Sequence, residues 1–186
     1  MKGARLLAQV YSITGYETCK EEAKKAVEYV VRQQRGDGSW GYSLSKSGGW
    51  IDNYHTGYIL DCLDEYIQLC GDHDYKKNLE KGFQFYRNHF FEPDGRPAFY
   101  ADYTYPADCT AASQSILTLT RFGETELAEK VATWTIKNMQ APDGSFYFRK
   151  FKWYTIKTPF MRWSNAWMFA ALATLLSEPN KEENNT

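Results

Sequence analysis

Three short segments of the chain combine aromatic rings with groups that carry protons or charge: residues 50–56, 100–108 and 160–167. Carboxylates and imidazoles transfer protons, and a guanidinium holds a carboxylate or phosphate. The candidate catalytic residues are two aspartates, a histidine and an arginine: Asp52, Asp108, His55 and Arg162. We expect the aspartates to act as acid or base, the histidine as a possible proton carrier, and the arginine to hold an anionic group or pair with one of the aspartates.

The same segments supply candidate binding residues. Large aromatic rings stack on sugar rings or line an apolar chain, and side-chain amides bond hydroxyl groups. The predicted substrate-binding residues are Trp50, Asn53, Tyr54, Tyr103, Tyr105, Trp163, Asn165 and Trp167. A purely structural interpretation stays open, because rings also fill cores, His55 also suits a buried histidine, and Asp, Asn and Ser are the usual N-caps of helices.

Helical spacing of apolar residues positions these segments. It predicts seven helices: Ala4–Ile13, Glu17–Gln34, Asn53–Cys70, Tyr75–Phe90, Ala107–Phe122, Glu124–Met139 and Trp163–Ser177. No segment shows the alternation of a strand, so we predict an all-α fold. Helices that are apolar around most of their circumference alternate with amphipathic ones, which predicts four inner and three outer helices. The N-terminal ends of the inner helices would then bring the three segments to one shared space.

A turn motif is repeated along the chain. Residues 34–40 (Gln-Arg-Gly-Asp-Gly-Ser-Trp) return as residues 140–146 (Gln-Ala-Pro-Asp-Gly-Ser-Phe) and, more weakly, as residues 90–97. The Asp-Gly pairs lie about 57 and about 49 residues apart, a period typical of an array of two-helix units.

The first copy resembles a known repeat. Lys25-Ala26-x-x-Tyr29-Val30-x-x-x-Gln34-x-x-x-Gly38-x-Trp40 is similar to the QW repeat of squalene and hopene cyclases. The third copy has phenylalanine in place of tryptophan, and the second lacks both the glutamine and the tryptophan. The resemblance covers nearly the whole ordered chain and implies an α/α toroid of the terpenoid cyclase and protein prenyltransferase superfamily. Within it, the repeat residues are expected to be architectural: Gln34, Trp40, Gln140 and Phe146.

Such a toroid closes with six helical hairpins, and this chain supplies about half of them. We therefore expect residues 1–177 to form a partial toroid domain that resembles a C-terminal half. A missing N-terminal half or a homodimer partner would complete it. Residues 178–186 are expected to be a disordered polar tail.

Three functions compete. The first is work on an oligosaccharide by a hydrolase, lyase or epimerase like the six-hairpin glycosidases, which the mixture of aromatic and ionisable residues favours. The second is isoprenoid chemistry, because Asp52-Asn53-Tyr54-His55-Thr56 is similar to the prenyltransferase segment in which the histidine binds zinc. The partner Asp-x-Cys ligands and the acidic motifs of the cyclases are absent from this sequence, so neither a metal nor another cofactor is predicted. The third is a non-catalytic binding or assembly module.

The composition of the chain limits the classes of binding partner and the cellular location that we expect. The chain has 186 residues, 43% hydrophobic and 17% aromatic, with a net charge of −1 and no evident cluster of Lys and Arg, so neither nucleic acid nor an anionic membrane is expected. The longest apolar run, residues 166–176, is too short to span a bilayer. The four cysteines are expected to be reduced core thiols, which favours a cytoplasmic location: Cys19, Cys62, Cys70 and Cys109.

Overall fold

The structure, a computed structural model, describes residues 1–178, apart from the side chain of Lys46. The predicted tail 178–186 therefore lies outside the described residues, except for Glu178. Contacts within the chain divide it into two compact units, Met1–His89 and the part from Phe90 onward.

The first unit consists of four helices. They are α1 (Lys2–Thr14), α2 (Glu17–Arg32), α3 (Asn53–Cys70) and α4 (Lys76–His89). Short 3-10 turns at Lys46–Gly48 and His73–Tyr75 precede α3 and α4. Helix α3 packs against α1 and α4 and buries ten of its residues, in accord with its apolar circumference.

The second unit has three α-helices and a small sheet. The helices are α5 (Cys109–Arg121), α6 (Thr125–Met139) and α7 (Trp167–Ser177), and a π-helical turn at Met161–Ala166 leads into α7. Helix α5 packs against both others. Three antiparallel strands of two residues each, β1 (Ala107–Asp108), β2 (Arg149–Lys150) and β3 (Thr155–Ile156), form a sheet in the order β1-β2-β3.

The all-α prediction is confirmed, and all seven helices occur near their predicted bounds. The expectation of no strand was wrong for the small sheet. A two-residue strand is too short to show an alternating pattern, so its pairing comes from tertiary contacts. The prediction that all four inner helices are buried by their neighbours was also wrong for α1 and α7. Helix α1 buries only Ala4 and Ala8 and exposes Leu6 and Ile13, and α7 buries only Met168 and Ala171.

The three repeated turns share one geometry. In each, an aspartate Oδ1 accepts a hydrogen bond from the backbone N–H two residues later, in Ser39, Arg96 and Ser145. The glycine after the aspartate has a positive φ of 98° at Gly38, 85° at Gly95 and 87° at Gly144. Residues other than glycine rarely adopt a positive φ, so the Asp-Gly pair determines the turn.

The residues at the two ends of the first turn, Gln34 and Trp40, connect that turn to the helices around it. The Trp40 indole donates to the carbonyl of Val30 in the last turn of α2 (3.0 Å), and the Gln34 amide donates to the carbonyls of Gly38 and Asn78. The indole thus bonds a carbonyl near the end of α2, while the glutamine joins the turn to α4. Both contacts are architectural in kind.

Replacing Gly82 by alanine should lower the free energy of unfolding by about 1–3 kcal/mol, the usual cost of overpacking a core. A Cβ at this position of α4 would lie 2.5 Å from the buried Trp40 ring. Urea unfolding measures the change. Gly3→Ala in α1 is the matched control, because nothing lies within 4 Å of its added Cβ. Equal midpoints for the two variants would contradict this packing.

Candidate functional site

Asp52 begins helix α3 as its N-cap. Its Oδ1 accepts a hydrogen bond from the backbone N–H of His55 at 2.8 Å, and its carbonyl accepts one from the Thr56 hydroxyl at 2.6 Å. Aspartate is a preferred N-cap because it satisfies a free backbone donor of the first helical turn. The cap therefore fixes the carboxylate on the first turn of α3, beside the side chain three residues later.

That side chain is His55, and it pairs with the same carboxylate. His55 Nδ1 lies 2.9 Å from Asp52 Oδ1 and 3.0 Å from Oδ2. The Asp52 side chain is 1% exposed and the His55 side chain 49% exposed. A neutral imidazole that donates from Nδ1 to a carboxylate carries its free lone pair on Nε2. The pair can thus exchange protons with a ligand through the histidine alone.

Aromatic rings surround His55. Tyr42 and Tyr54 meet the imidazole edge-on, with ring centroids 4.8 and 5.1 Å away. Trp50 stacks on Tyr42 at 4.9 Å with an interplanar angle of 14°. Both stacked rings are about half exposed, which leaves aromatic surface beside the histidine for a ligand.

A cavity of about 230 Å³ adjoins the pair in the first unit. Its walls combine the Asp52–His55 pair with a further charged residue, Lys2, and with six other residues of the same unit: Met1, Trp40, Gly41, Tyr42, Tyr58 and Ile59. A concave site with mostly apolar walls and few polar groups is the usual form of a small-molecule site.

Of the residues predicted in segment 50–56, four are brought together and one is not. Asp52, His55, Tyr54 and Trp50 surround this site, Trp50 by way of Tyr42. Asn53 is a correction: it is 0% exposed, and its Oδ1 accepts a hydrogen bond from the Tyr86 hydroxyl at 2.8 Å. Its amide is therefore committed to the core and not open to a ligand.

The second unit holds its own carboxylate and cation at the start of α5. Asp108 Oδ1 accepts from the backbone N–H groups of Thr110 (2.9 Å) and Ala111 (3.2 Å), so this aspartate is also an N-cap. Its Oδ2 accepts from Arg149, with Nε and Nη2 each 2.7 Å away. The cation that pairs with Asp108 is thus Arg149 and not the predicted Arg162.

The Arg149 guanidinium lies against two rings, with its carbon 4.7 Å from the centroid of Phe99 and 4.9 Å from that of Phe148. Burial raises the pKa of Asp108, and this effect exceeds the lowering by Arg149 and by the two backbone donors. The Asp108 side chain is 2% exposed. This geometry fits a buried structural ion pair better than a freely reachable acid.

The remaining predicted residues of the second unit are spread over different contacts. Arg162 lies 5.9 Å from its neighbour's ring, that of Trp163, which is half exposed and packs beside Phe160. Asn165 is a correction, since its Oδ1 accepts from the backbone N–H of Phe146 at 2.8 Å and serves the turn.

Tyr103, Tyr105 and Trp167 also have separate surroundings. Tyr103 is exposed and meets Tyr100 edge-on, and the Tyr105 ring lies under Arg96 at 4.3 Å. The Trp167 indole N–H is buried without a hydrogen-bond partner among the described residues. The expectation that all three segments share one space concerns both units together, and it stays a prediction.

Sequence reasoning missed Tyr42 and Arg149. Tyr42 follows the first repeated turn by two residues, so its place beside the next inner helix is visible once the turn is recognised. Arg149 follows the third turn within a run of aromatic residues, 146–148. A cation in such a run signals a buried acidic partner, because an unpaired charge is costly there.

Two negative findings hold for the described part of the chain. No group of three or more His, Cys, Asp or Glu residues is arranged to hold a metal ion. None of the helices described is long and apolar enough to cross a membrane.

Comparison with known proteins locates the fold. No protein-family model matches the chain, and no curated protein matches its sequence. Solved structures do match. A cellobiose 2-epimerase from Bacillus thermoamylovorans B4167 superposes with a TM-score of 0.73 at 11% identity, covering 93% of this chain and 50% of that one.

Two further structures give the same result. An unsaturated glucuronyl hydrolase specific for heparin has a TM-score of 0.71 at 17% identity, covering 97% of this chain and 51% of that one. A sugar epimerase from a ruminal bacterium has a TM-score of 0.70 at 13% identity, covering 93% and 51%. The chain therefore has the fold of an α/α-toroid segment and spans about half the length of these structures. They do not support the terpenoid cyclase family specifically, which stays a resemblance.

Proposed function

We propose that this chain acts on a saccharide, with His55 as the group that transfers a proton. The observation that carries the proposal is the Asp52–His55 pair at the wall of an aromatic cavity. The names of the three similar structures add support, since each is that of an enzyme of sugars.

The pair divides the work between its members. Asp52 is buried, so its carboxylate orients the imidazole and stabilises the imidazolium that forms when the ring takes up a proton. His55 Nε2 is the atom that would accept a proton from the substrate and return it. Hydrolysis, elimination and epimerisation of a sugar each need such a step. The proposal thus moves the acid–base role from Asp52 itself to His55, and leaves Asp108 a structural role with Arg149.

Trp50 and Tyr42 would bind the sugar ring. Their stacked, half-exposed rings beside His55 offer an apolar face of the kind that packs on the C–H face of a sugar. A predominantly apolar isoprenoid would not need the buried carboxylate–imidazole pair. We therefore rank the saccharide above the isoprenoid and the non-catalytic alternative.

Completion of the toroid is part of the proposal. The half coverage of the three similar structures fits a protein whose site is finished by an N-terminal half or by a second copy of this chain. The cytoplasmic location stays a prediction.

Incubation with a saccharide panel tests the function. Cellobiose, other neutral disaccharides and unsaturated uronyl disaccharides are each added in D₂O, and proton NMR follows exchange at C–H positions, new epimers and released monosaccharide. We expect turnover of at least one sugar, lost in His55→Ala. Calorimetry on the same panel separates binding from turnover. No binding and no turnover across the panel would overturn the proposal.

A further inference from the structure

The C-terminal part of the second unit carries a strong local positive charge. From Gly144 to Ser177 the sequence contains no Asp or Glu, while it contains five cationic residues: Arg149, Lys150, Lys152, Lys157 and Arg162. The whole chain has a net charge of −1, so the remainder is distinctly negative. The expectation that the chain has no cluster of Lys and Arg was therefore wrong for this segment.

Four of these cations lie on one β-hairpin, residues 147–157, which we call the basic hairpin. Strands β2 and β3 place Lys150 opposite Thr155, and the backbone N–H of Phe151 donates to the carbonyl of Tyr154 at 2.8 Å to close the turn. The hairpin is thus a defined surface and not a loose run of charge.

Exposed rings accompany the cations. Trp153 at the tip is 86% exposed, and Tyr154 stacks on Phe151 at 4.5 Å with an interplanar angle of 13°. Lys152 Nζ lies 5.0 Å from the Trp153 ring centroid, and Lys157 Nζ lies 5.6 Å from that of Tyr147. Among the described residues no carboxylate pairs with the three lysines of the hairpin; Arg149 alone is paired, with Asp108.

We propose that the basic hairpin binds an acidic oligosaccharide, with its lysines on carboxylate or sulfate groups and the Trp153 ring on a sugar face. This inference rests on the proposed function for the saccharide class and narrows that class to anionic sugars. A neutral sugar would use only the aromatic ring of the hairpin, because it would leave the lysines without partners.

The charge of the rest of the chain favours a short ligand over an extended polyanion. At physiological ionic strength an exposed charge is screened beyond about 8 Å. A short oligosaccharide needs only the lysines of the hairpin, whereas an extended polyanion also reaches the rest of the chain, whose net charge is negative. The hairpin is also continuous with the entrance of α5, because Arg149 of β2 pairs with Asp108 of β1.

Calorimetry with charge-matched ligands tests the inference. The probes are a heparin-derived tetrasaccharide, and an oligogalacturonate beside its methyl ester, which has the same sugar backbone without the charge. We expect the wild type to bind the acidic forms more tightly than the ester. Lys150→Ala/Lys152→Ala should weaken binding of the acidic forms roughly tenfold, the effect of two ion pairs at the surface, and leave the ester unchanged. Trp153→Ala should weaken both forms about fivefold.

The matched control is Lys76→Ala/Lys77→Ala, which removes the same charge from exposed positions of α4. Equal losses in both double variants, or equal affinity of the wild type for acid and ester, would overturn the inference. So would hairpin-dependent binding that is tighter to phosphatidylserine vesicles or to single-stranded DNA. Turnover of a neutral sugar in the panel above with no acidic preference would sink this inference and leave the proposed function standing.

Discussion

Replacing His55 by alanine should lower kcat on the saccharide substrate by about 10²–10⁴-fold, the usual contribution of general acid–base catalysis. In the N-cap, the backbone N–H of His55 donates to Asp52 Oδ1, and this hydrogen bond does not need the His55 side chain. The variant therefore keeps the start of α3. Its side chain is half exposed, which limits the loss of packing. Steady-state kinetics measures the change, and circular dichroism checks that the fold is retained.

Asp52→Asn separates orientation from charge in the same pair. Asparagine is also a good N-cap, so α3 keeps its start, while the imidazolium loses the carboxylate that stabilises it. We expect kcat to fall with little change in KM. His73→Ala is the matched control, because His73 is exposed in the short turn before α4. Full activity in His55→Ala would show that His55 transfers no proton and that Asp52 serves only as the N-cap of α3.

Replacing Arg149 by alanine should lower the free energy of unfolding by about 3 kcal/mol at neutral pH, because it leaves a buried carboxylate without its counter-charge. Asp108 keeps two backbone donors, so the low end of the range for broken buried pairs applies. Urea unfolding gives the value. Arg96→Ala is the matched control, because Arg96 also lies on an aromatic ring. Its partner Glu92 is far more exposed than Asp108, and the distance from Arg96 Nη2 to Glu92 Oε2 is 3.8 Å. We expect a smaller loss there.

The loss in Arg149→Ala should shrink as the pH falls. Burial already raises the pKa of Asp108 in the wild type, and removing Arg149 takes away the attraction that lowers it. In the pH window between the ordinary carboxyl pKa and the raised pKa of Asp108, the folded variant holds a proton that the unfolded chain releases. Its stability is greatest below that window and falls as the pH rises through it.

A double variant, Asp108→Asn/Arg149→Ala, isolates the unpaired charge. It removes both members of the pair, so it should recover part of the lost stability and show little dependence on pH. A pH-independent loss in Arg149→Ala, or no recovery in the double variant, would mean that the arginine acts through packing on Phe99 and Phe148 and not through the carboxylate.

A contact in the site could be predicted from the sequence when its two residues lie close together along the chain. Asp52 and His55 are three residues apart at a helix start, so the cap alone brings them together, and sequence spacing was enough to select both. Asp108 and Arg149 meet through the pairing of two very short strands, β1 and β2, which leaves no periodic signal. The position of Arg162 before an inner helix favours it as the partner of an aspartate, but helix spacing carries no information about strand pairing.

The helices were predictable for a similar reason. Their apolar stripes and glycine ends are local signals, and the predicted bounds differ from the observed ones by a few residues. The exposure of α1 and α7 was not predictable in this way. An apolar circumference tells which faces favour burial, but not whether a neighbour is present to cover them.

The first two repeated turns lie very close to the main chain of a neighbouring helix. A Cβ on Gly38 would lie 2.5 Å from the carbonyl oxygen of Lys81 in α4, and one on Gly95 would lie 2.6 Å from that of Lys130 in α6. Each of these two turns thus rests on the main chain of the next amphipathic helix within its own unit. A larger residue at either glycine must displace the main chain of a helix, so a substitution there should loosen the turn and the helix beneath it together.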